Sequence, residues 1–286
     1  MIPPPFEYEA PTTIPEAIGL LDKNEDAKIL AGGQSLLPMM KFRLASPGLL
    51  IDINRISGLE YIREDGGFLK LGALTREAEL DASDLIHTRY QLLADTCRQI
   101  ADPTVRNMAT IGGNLSHADP ANDHPAAMLA YGAQVVASGP QGSRVIPIAE
   151  FFVGPFESAL AHNELLTEIR LPMTMRGDVG AYYKIERRVG DFAVAGVAVQ
   201  LHLDDQKMCT KAGIGLTNVG LTPIKALEAE KCLVGRRLDE AVIHEAAHLA
   251  GEAADPQDDQ RGSVEYKRSL IRSATVRALR SALSRF

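Results

Sequence analysis

The apolar positions fall into short runs separated by polar and glycine-rich breaks. Lys28-Ile29-Leu30 and Leu49-Leu50-Ile51-Asp52-Ile53 have the compact apolar character of buried strands. Leu36 to Arg43 between them predicts a helix. Thr13, with Glu16 three residues later, forms a capping box for a helix over Ile14 to Leu21. The opening stretch thus predicts a small α/β unit with parallel strands.

The pattern then changes. Tyr61-Ile62-Arg63 and Phe68-Leu69-Lys70-Leu71 flank Asp65-Gly66-Gly67 and predict a hairpin. Leu85 to Ala101 predicts one helix, with Leu92, Leu93, Thr96, Cys97 and Ile100 on its inner side and Pro103 as its stop. Asp123 is placed to cap a helix running through Met128 to Tyr131. Strands are predicted over 134–137, 144–148 and 165–171, the first two joined at Gly139-Pro140-Gln141-Gly142. Beyond a linker at 172–180, three strands of one antiparallel sheet are predicted over 181–187, 192–203 and 211–217. Thr222-Pro223 predicts the start of a helix that Gly235 closes, and Asp239 and Ser263 open two more. The expected architecture is α+β. One domain spans 1–176, with lobes of about 1–54 and 55–176, and an α+β domain spans 177–286.

The net charge of −7 argues against a nucleic-acid partner, which selects for a basic face. No apolar run reaches membrane-spanning length, and the first residues lack the charged and apolar regions of a signal peptide. Cys97, Cys209 and Cys232 are too far apart for a zinc half-site or an iron–sulfur run. A cytoplasmic setting is the simplest expectation.

The candidate chemistry lies in two glycine turns. Ala31-Gly32-Gly33-Gln34-Ser35 stands between a strand and a helix, and Thr110-Ile111-Gly112-Gly113-Asn114 repeats the pattern of apolar approach, two glycines and a side-chain amide. Paired glycines let backbone N–H groups approach a ligand, and a helix start adds unpaired donors, which suits an anion such as phosphate. Two such turns could clamp a diphosphate, or they could be two ordinary tight turns. Three other signals are weaker. His244-Glu245-Ala246-Ala247-His248 matches the zinc peptidase string, but Ala254 stands at the third histidine position of the longer pattern. His117, Asp119, Asp123 and His124 read as a polar loop lining a ligand, ahead of a metal site. Lys184, Arg187 and Arg188 place positive charge on one segment. No catalytic acid–base pair or nucleophile stands out.

Taken with their surroundings, the two turns resemble the FAD diphosphate loops in the medium subunit of the molybdenum hydroxylase (xanthine dehydrogenase) family, towards its aerobic carbon monoxide dehydrogenase branch. The likeness also includes Ile2-Pro3-Pro4, Ile100 to Asn107, Asp119 to Asp123, Gly190-Asp191-Phe192-Ala193 and Leu216-Thr217-Asn218-Val219. It implies an FAD-binding domain of the vanillyl-alcohol-oxidase type, followed by a three-stranded sheet with a helical bundle. By the same resemblance, Leu30, Ala31, Gly32, Gly33, Gln34, Ser35, Thr110, Ile111, Gly112, Gly113 and Asn114 hold the diphosphate. Asp123 binds the sugar part, Ile100, Leu165 and Phe192 lie near the flavin ring, and Lys184 lies at its polar edge. The resemblance implies an electron-transfer flavoprotein without metal ligands of its own. Its partners would be a large molybdenum-cofactor subunit and a small [2Fe-2S] subunit in a dimer of heterotrimers, with peripheral contact to a membrane electron acceptor at the inner face of the membrane. Gln34 departs from the histidine common in carbon monoxide dehydrogenases, which leaves heterocycle and aldehyde hydroxylases open. A stand-alone flavin oxidoreductase and, from another class, a zinc metallopeptidase through His244 and His248 are the alternative readings.

Overall fold

The computed structural model describes residues 2–286. The opening stretch forms the expected parallel unit: β1 (Glu7–Glu9), β2 (Lys28–Leu30) and β3 (Leu49–Asp52), in the order β1-β3-β2. Helix α1 (Ile14–Lys23) has its capping box in place, with Glu16 N donating to Thr13 Oγ1 at 3.3 Å and Thr13 N donating back to Glu16 at 3.2 Å. Its inner face, Ala17 and Leu21, packs on Leu49, Ile51 and Ile53. Helix α2 (Leu36–Lys41) follows the first glycine turn. Strand β1 had no sequence signal, because Glu7, Tyr8 and Glu9 are all exposed; it pairs with β3 through backbone, and the Tyr8 hydroxyl donates to Asp52 at the end of β3.

The middle of the chain builds a five-stranded antiparallel sheet and a helical layer. The predicted hairpin is β4 (Ile62–Asp65) and β5 (Phe68–Gly72), turned through Gly66 and Gly67 at φ 58° and 83°. Then come α3 (Glu77–Ala82), α4 (Asp84–Arg89), α5 (Gln91–Gln99), α6 (Pro103–Arg106), α7 (Ile111–His117) and α8 (His124–Tyr131). Strands β6 (Gln134–Gly139) and β7 (Gly142–Pro147), the small pair β8 (Phe152–Gly154) and β9 (Glu157–Ser158), and β10 (Leu165–Pro172) complete this part. The sheet order is β4-β5-β10-β6-β7.

The single helix expected over 85–101 is two helices. Tyr90 breaks it at φ −122° and ψ 57°, because its ring is fully buried and its hydroxyl reaches Glu64 at 2.7 Å. Pro103 ends the run and also opens α6, whose first N–H groups are capped by Asp102. Helices α3 and α7 carried too little apolar periodicity to be foreseen.

The last part has β11 (Asp178–Ile185), β12 (Ala195–Leu203), β13 (Cys209–Thr217) and the short β14 (Ile224–Lys225) in sequential antiparallel order. Helices α9 (Leu227–Leu233), α10 (Glu240–Ala253) and α11 (Val264–Leu283) accompany them. Two expectations are corrected. The segment after Pro223 pairs as β14, so the helix begins only at Leu227. The central strand starts at Ala195 rather than Phe192, which leaves 186–194 as a loop.

Helix α8 lies directly on this sheet. A Cβ on Gly213 would sit 1.9 Å from the Ala130 carbonyl oxygen, and one on Gly215 would sit 2.0 Å from that of Ala126. Gly213 and Gly215 therefore permit close helix-on-sheet contact. The contact brings Lys184 and the 186–194 loop towards the two glycine turns.

Candidate functional site

A cleft of about 450 Å³ lies where the three sheets meet. Its walls include residues 31–36 of the first turn, residues 109, 110, 112–114, 116 and 117 around the second, and Ile100, Asp123, Leu165, Lys184 and Phe192. Fourteen of the sixteen residues singled out from sequence thus come together, from segments up to 161 positions apart, Ala31 to Phe192. Leu30 and Ile111 do not line it. Ile111 is fully buried in the core, and the Leu30 side chain leans beside Gly33.

The two turns touch. A Cβ on Gly32 would fall 2.2 Å from the Met108 carbonyl oxygen, so this glycine is needed for one loop to pass the other. Gly112 likewise has no room, since a Cβ there would meet Ala73 Cβ and the Ala73 carbonyl oxygen at 2.6 Å. In both cases the missing side chain makes way for protein. Gly33, at φ 72°, adopts the left-handed conformation that turns the chain. Two side chains that carried no sequence signal tie the turns together. Asn54 Nδ2 donates to the Ala31 carbonyl at 2.9 Å, while Arg76 donates to Asn54 Oδ1 at 2.6 Å and to the Met108 carbonyl.

Their donors differ. Among the described residues, the N–H groups of Gly32, Gly33, Gln34, Ser35 and Leu36 reach no protein acceptor. The second turn is the first turn of α7 itself, and its N–H groups are spent internally. Ile111 N donates to Thr75 O at 3.1 Å, Gly112 N to Ala73 O at 3.0 Å, Gly113 N to Thr110 Oγ1 at 3.1 Å and Asn114 N to Thr110 O at 2.9 Å. What the second turn still offers is side chain: Asn114 Oδ1 is buried at the cleft wall without a partner among the described residues.

Opposite stands a buried charged network. Lys184 Nζ donates to Asp123 Oδ2 and to the Gln99 carbonyl, both at 2.9 Å, with Glu186 3.5 Å away. The Tyr182 hydroxyl donates to Asp123 Oδ1 at 2.6 Å. Burial pushes the Asp123 carboxyl up and the Lys184 ammonium opposes it. Burial, with the adjacent carboxylate, holds the Tyr182 hydroxyl well above its ordinary range, so it remains a donor. Asp123 stands at the N-terminus of α8 but does not cap it, since both its oxygens are taken by Tyr182 and Lys184. Tyr182 had no sequence signal beyond its alternation with Lys184 along β11.

The weaker candidates separate. His117 lines the cleft, its ring 5.2 Å from that of Phe156, and burial lowers its pKa against the opposing pull of Asp119. Asp119 instead accepts from Ala121 N within its own loop. His124 points away into the core, where it meets Glu77. Arg187 is largely exposed, so of the basic trio only Lys184 reaches the wall. His244 and His248 sit on an exposed face of α10. Glu245, the base in the peptidase reading, is bound to Arg236 at 2.8 Å.

No helix among the described residues is long and apolar enough to cross a membrane. Two family profiles match the chain. That of the FAD binding domain in molybdopterin dehydrogenase matches residues 4–174, and that of the CO dehydrogenase flavoprotein C-terminal domain matches 180–282. The chain is 43% identical over 286 residues to the carbon monoxide dehydrogenase medium chain of Hydrogenophaga pseudoflava, covering 100% of this chain and 99% of that one. It is 41% identical to the 6-hydroxypseudooxynicotine dehydrogenase complex subunit alpha of Paenarthrobacter nicotinovorans, covering 100% and 97%. A solved structure of the Hydrogenophaga pseudoflava carbon monoxide dehydrogenase, lacking the Mo-pyranopterin moiety of its cofactor, superposes with a TM-score of 0.97 at 44% identity, covering 100% and 99%. Cleft, fold and full-length similarity agree: the chain belongs to the FAD-binding medium subunits of the molybdenum hydroxylase family, beside those of carbon monoxide dehydrogenase.

Proposed function

We propose that this chain is the electron-transfer subunit of a molybdenum hydroxylase complex. It takes electrons from [2Fe-2S] clusters of a small partner, downstream of a molybdenum cofactor on a large partner, and passes them to an external acceptor. The complex is read as a dimer of heterotrimers in the cytoplasm, meeting a membrane acceptor at the inner face. The division into an FAD-binding domain over 1–176 and a C-terminal domain over 177–286 is part of this reading. It is supported by the two profile matches and by a separate hydrophobic cluster behind β11–β13.

One observation carries the reading. A single cleft has unspent N–H donors on one wall and a buried lysine–aspartate pair on the other. The residues fit FAD. Open donors at 32–36 suit a diphosphate, the unpartnered Asn114 Oδ1 suits a hydroxyl donor, and Ile100, Leu165 and Phe192 supply apolar surface for a ring. When bound, FAD supplies redox chemistry that none of the side chains has. Lys184 sets positive charge at the polar end of the cleft, and Asp123 and Gln99 fix its ammonium in place. Gln34 folds back on the Gly32 carbonyl at 3.1 Å and holds the donor-rich turn in shape.

The substrate would be met on the large partner, so carbon monoxide, a heterocycle or an aldehyde all remain compatible with this chain. The test titrates FAD into the full chain and follows flavin fluorescence. Gln34→Glu, which puts a carboxylate beside the open donors, is expected to weaken binding about tenfold or more by charge repulsion. Unchanged affinity would mean the diphosphate lies elsewhere. In the assembled complex, flavin depletion should stop reoxidation of the reduced clusters by the acceptor. Undiminished reoxidation would refute the electron-transfer role.

A further inference from the structure

Behind the cleft, α3, α5 and α8 bring three potential metal ligands together in the core. Glu77, Cys97 and His124 are all fully buried, and one donor atom from each lies within 4.8 Å of the others. His124 Nε2 and Glu77 Oε2 are 2.7 Å apart. The remaining polar atoms, Glu77 Oε1 and His124 Nδ1, are buried and have no hydrogen-bond partner among the described residues. Buried polar atoms are normally satisfied, so the unpaired Glu77 Oε1 beside His124 and Cys97 calls for an explanation. Leu80, Leu93, Ile111 and Leu115 belong to the same buried hydrophobic cluster as Cys97.

We propose that Glu77, Cys97 and His124 form a structural site for a zinc-class divalent cation. Thiolate, imidazole and carboxylate together are the ligand types zinc selects, and a bidentate Glu77 would complete four donors and use its orphaned oxygen. Metal–ligand distances of about 2.0–2.3 Å place ligand atoms of one zinc within ~4 Å of each other, so the present spacing closes by small side-chain rotations. Charge balances as well: two anionic ligands neutralise the dication, which suits a fully buried site. Burial holds the Cys97 thiol well above its ordinary range, so it is protonated without metal. Binding releases that proton to solvent as the sulfur–metal bond forms, with no change of oxidation state. The site would pin the start of α8, one residue from Asp123, to two helices of the layer behind the cleft. It is independent of where FAD sits.

The test uses the full chain, exchanged against excess zinc sulfate and passed through gel filtration, with metals counted by plasma mass spectrometry. About one zinc per chain is expected, falling to background in Cys97→Ala and in His124→Phe. Cobalt(II) loaded in place of zinc should add a thiolate-to-cobalt charge-transfer band in the near ultraviolet and four-coordinate bands in the visible. These are read as difference spectra on the flavin-free chain. Zinc below a tenth of an equivalent in the exchanged wild type, or equal zinc in both variants, would overturn the proposal. Should the variants fail to fold, the wild-type cobalt spectrum decides alone, and absence of the thiolate band rejects the site. A crystal structure showing a water between Glu77 and Cys97 after zinc exchange would reject it too.

Discussion

The two glycine turns look alike in sequence and behave differently in the structure. Each follows an apolar run and holds adjacent glycines followed by a side-chain amide. Residues 31–35 form an open loop before α2, and the N–H groups of 32–35 find no acceptor among the described residues. Residues 110–114 are the start of α7, and every N–H from Ile111 to Asn114 is bonded within the protein. The difference comes from neighbours. The second turn runs against Ala73 and Thr75, which supply carbonyl acceptors, whereas the first faces the cleft. A glycine pair therefore signals close approach without saying to what. At Gly32 and Gly112 the approaching group is the protein's own backbone or side chain.

Gly32→Val should give the largest effect, because the obstacle at 2.2 Å is a backbone carbonyl that cannot rotate away. A loss of more than about 4 kcal/mol is expected in urea unfolding. A variant of near-native stability would show that the loops can separate. Lys184→Met comes next. It leaves the buried Asp123 charge without its cation and should cost about 3 kcal/mol. Adding Asp123→Asn should recover part of that loss, and strict additivity in the double variant would argue against the pairing.

Thr110→Ala probes the closed turn directly. It removes the cap on Gly113 N, with an expected loss of about 1 kcal/mol. Flavin affinity should not fall, since a donor is released, and a fall would move the second turn's hydroxyl into the ligand's contacts. The smallest effect concerns pH. Burial lowers His117 below its ordinary 6.5, so the unfolded chain takes up this proton first as pH drops. Its contribution to stability is present above that value and is lost on acidification towards the lowered folded value. The effect is below about 1 kcal/mol. Comparing unfolding at pH 7.5 and 5.5, the decline should be shallower in His117→Asn.

Most elements were legible because their residues announce local physics. The capping box at Thr13 and Glu16, the Gly66-Gly67 hairpin turn and the apolar runs of β2 and β3 depend on near neighbours. The failures share a different cause. Tyr90 breaks a helix because its ring and hydroxyl have distant partners, and β1 exists because β3 offers it an edge. For the cleft, residue types pointed to segments that line it, while Asn54, Arg76 and Tyr182 gave no signal. Their work is to bond groups far away in sequence.

By itself, the sequence determined the α+β alternation, the places where the chain must turn tightly and the membership of a flavoprotein family. Those depend on residue types and their order. Tertiary structure alone decided which glycine turn keeps its donors free, that Asp123 binds Tyr182 and Lys184 instead of capping its helix, and that His124 leaves the polar loop to join Glu77 and Cys97 in the core. Each of these depends on which partner occupies a donor's or acceptor's direction in space. A chain sets that only when its helices and sheets have packed.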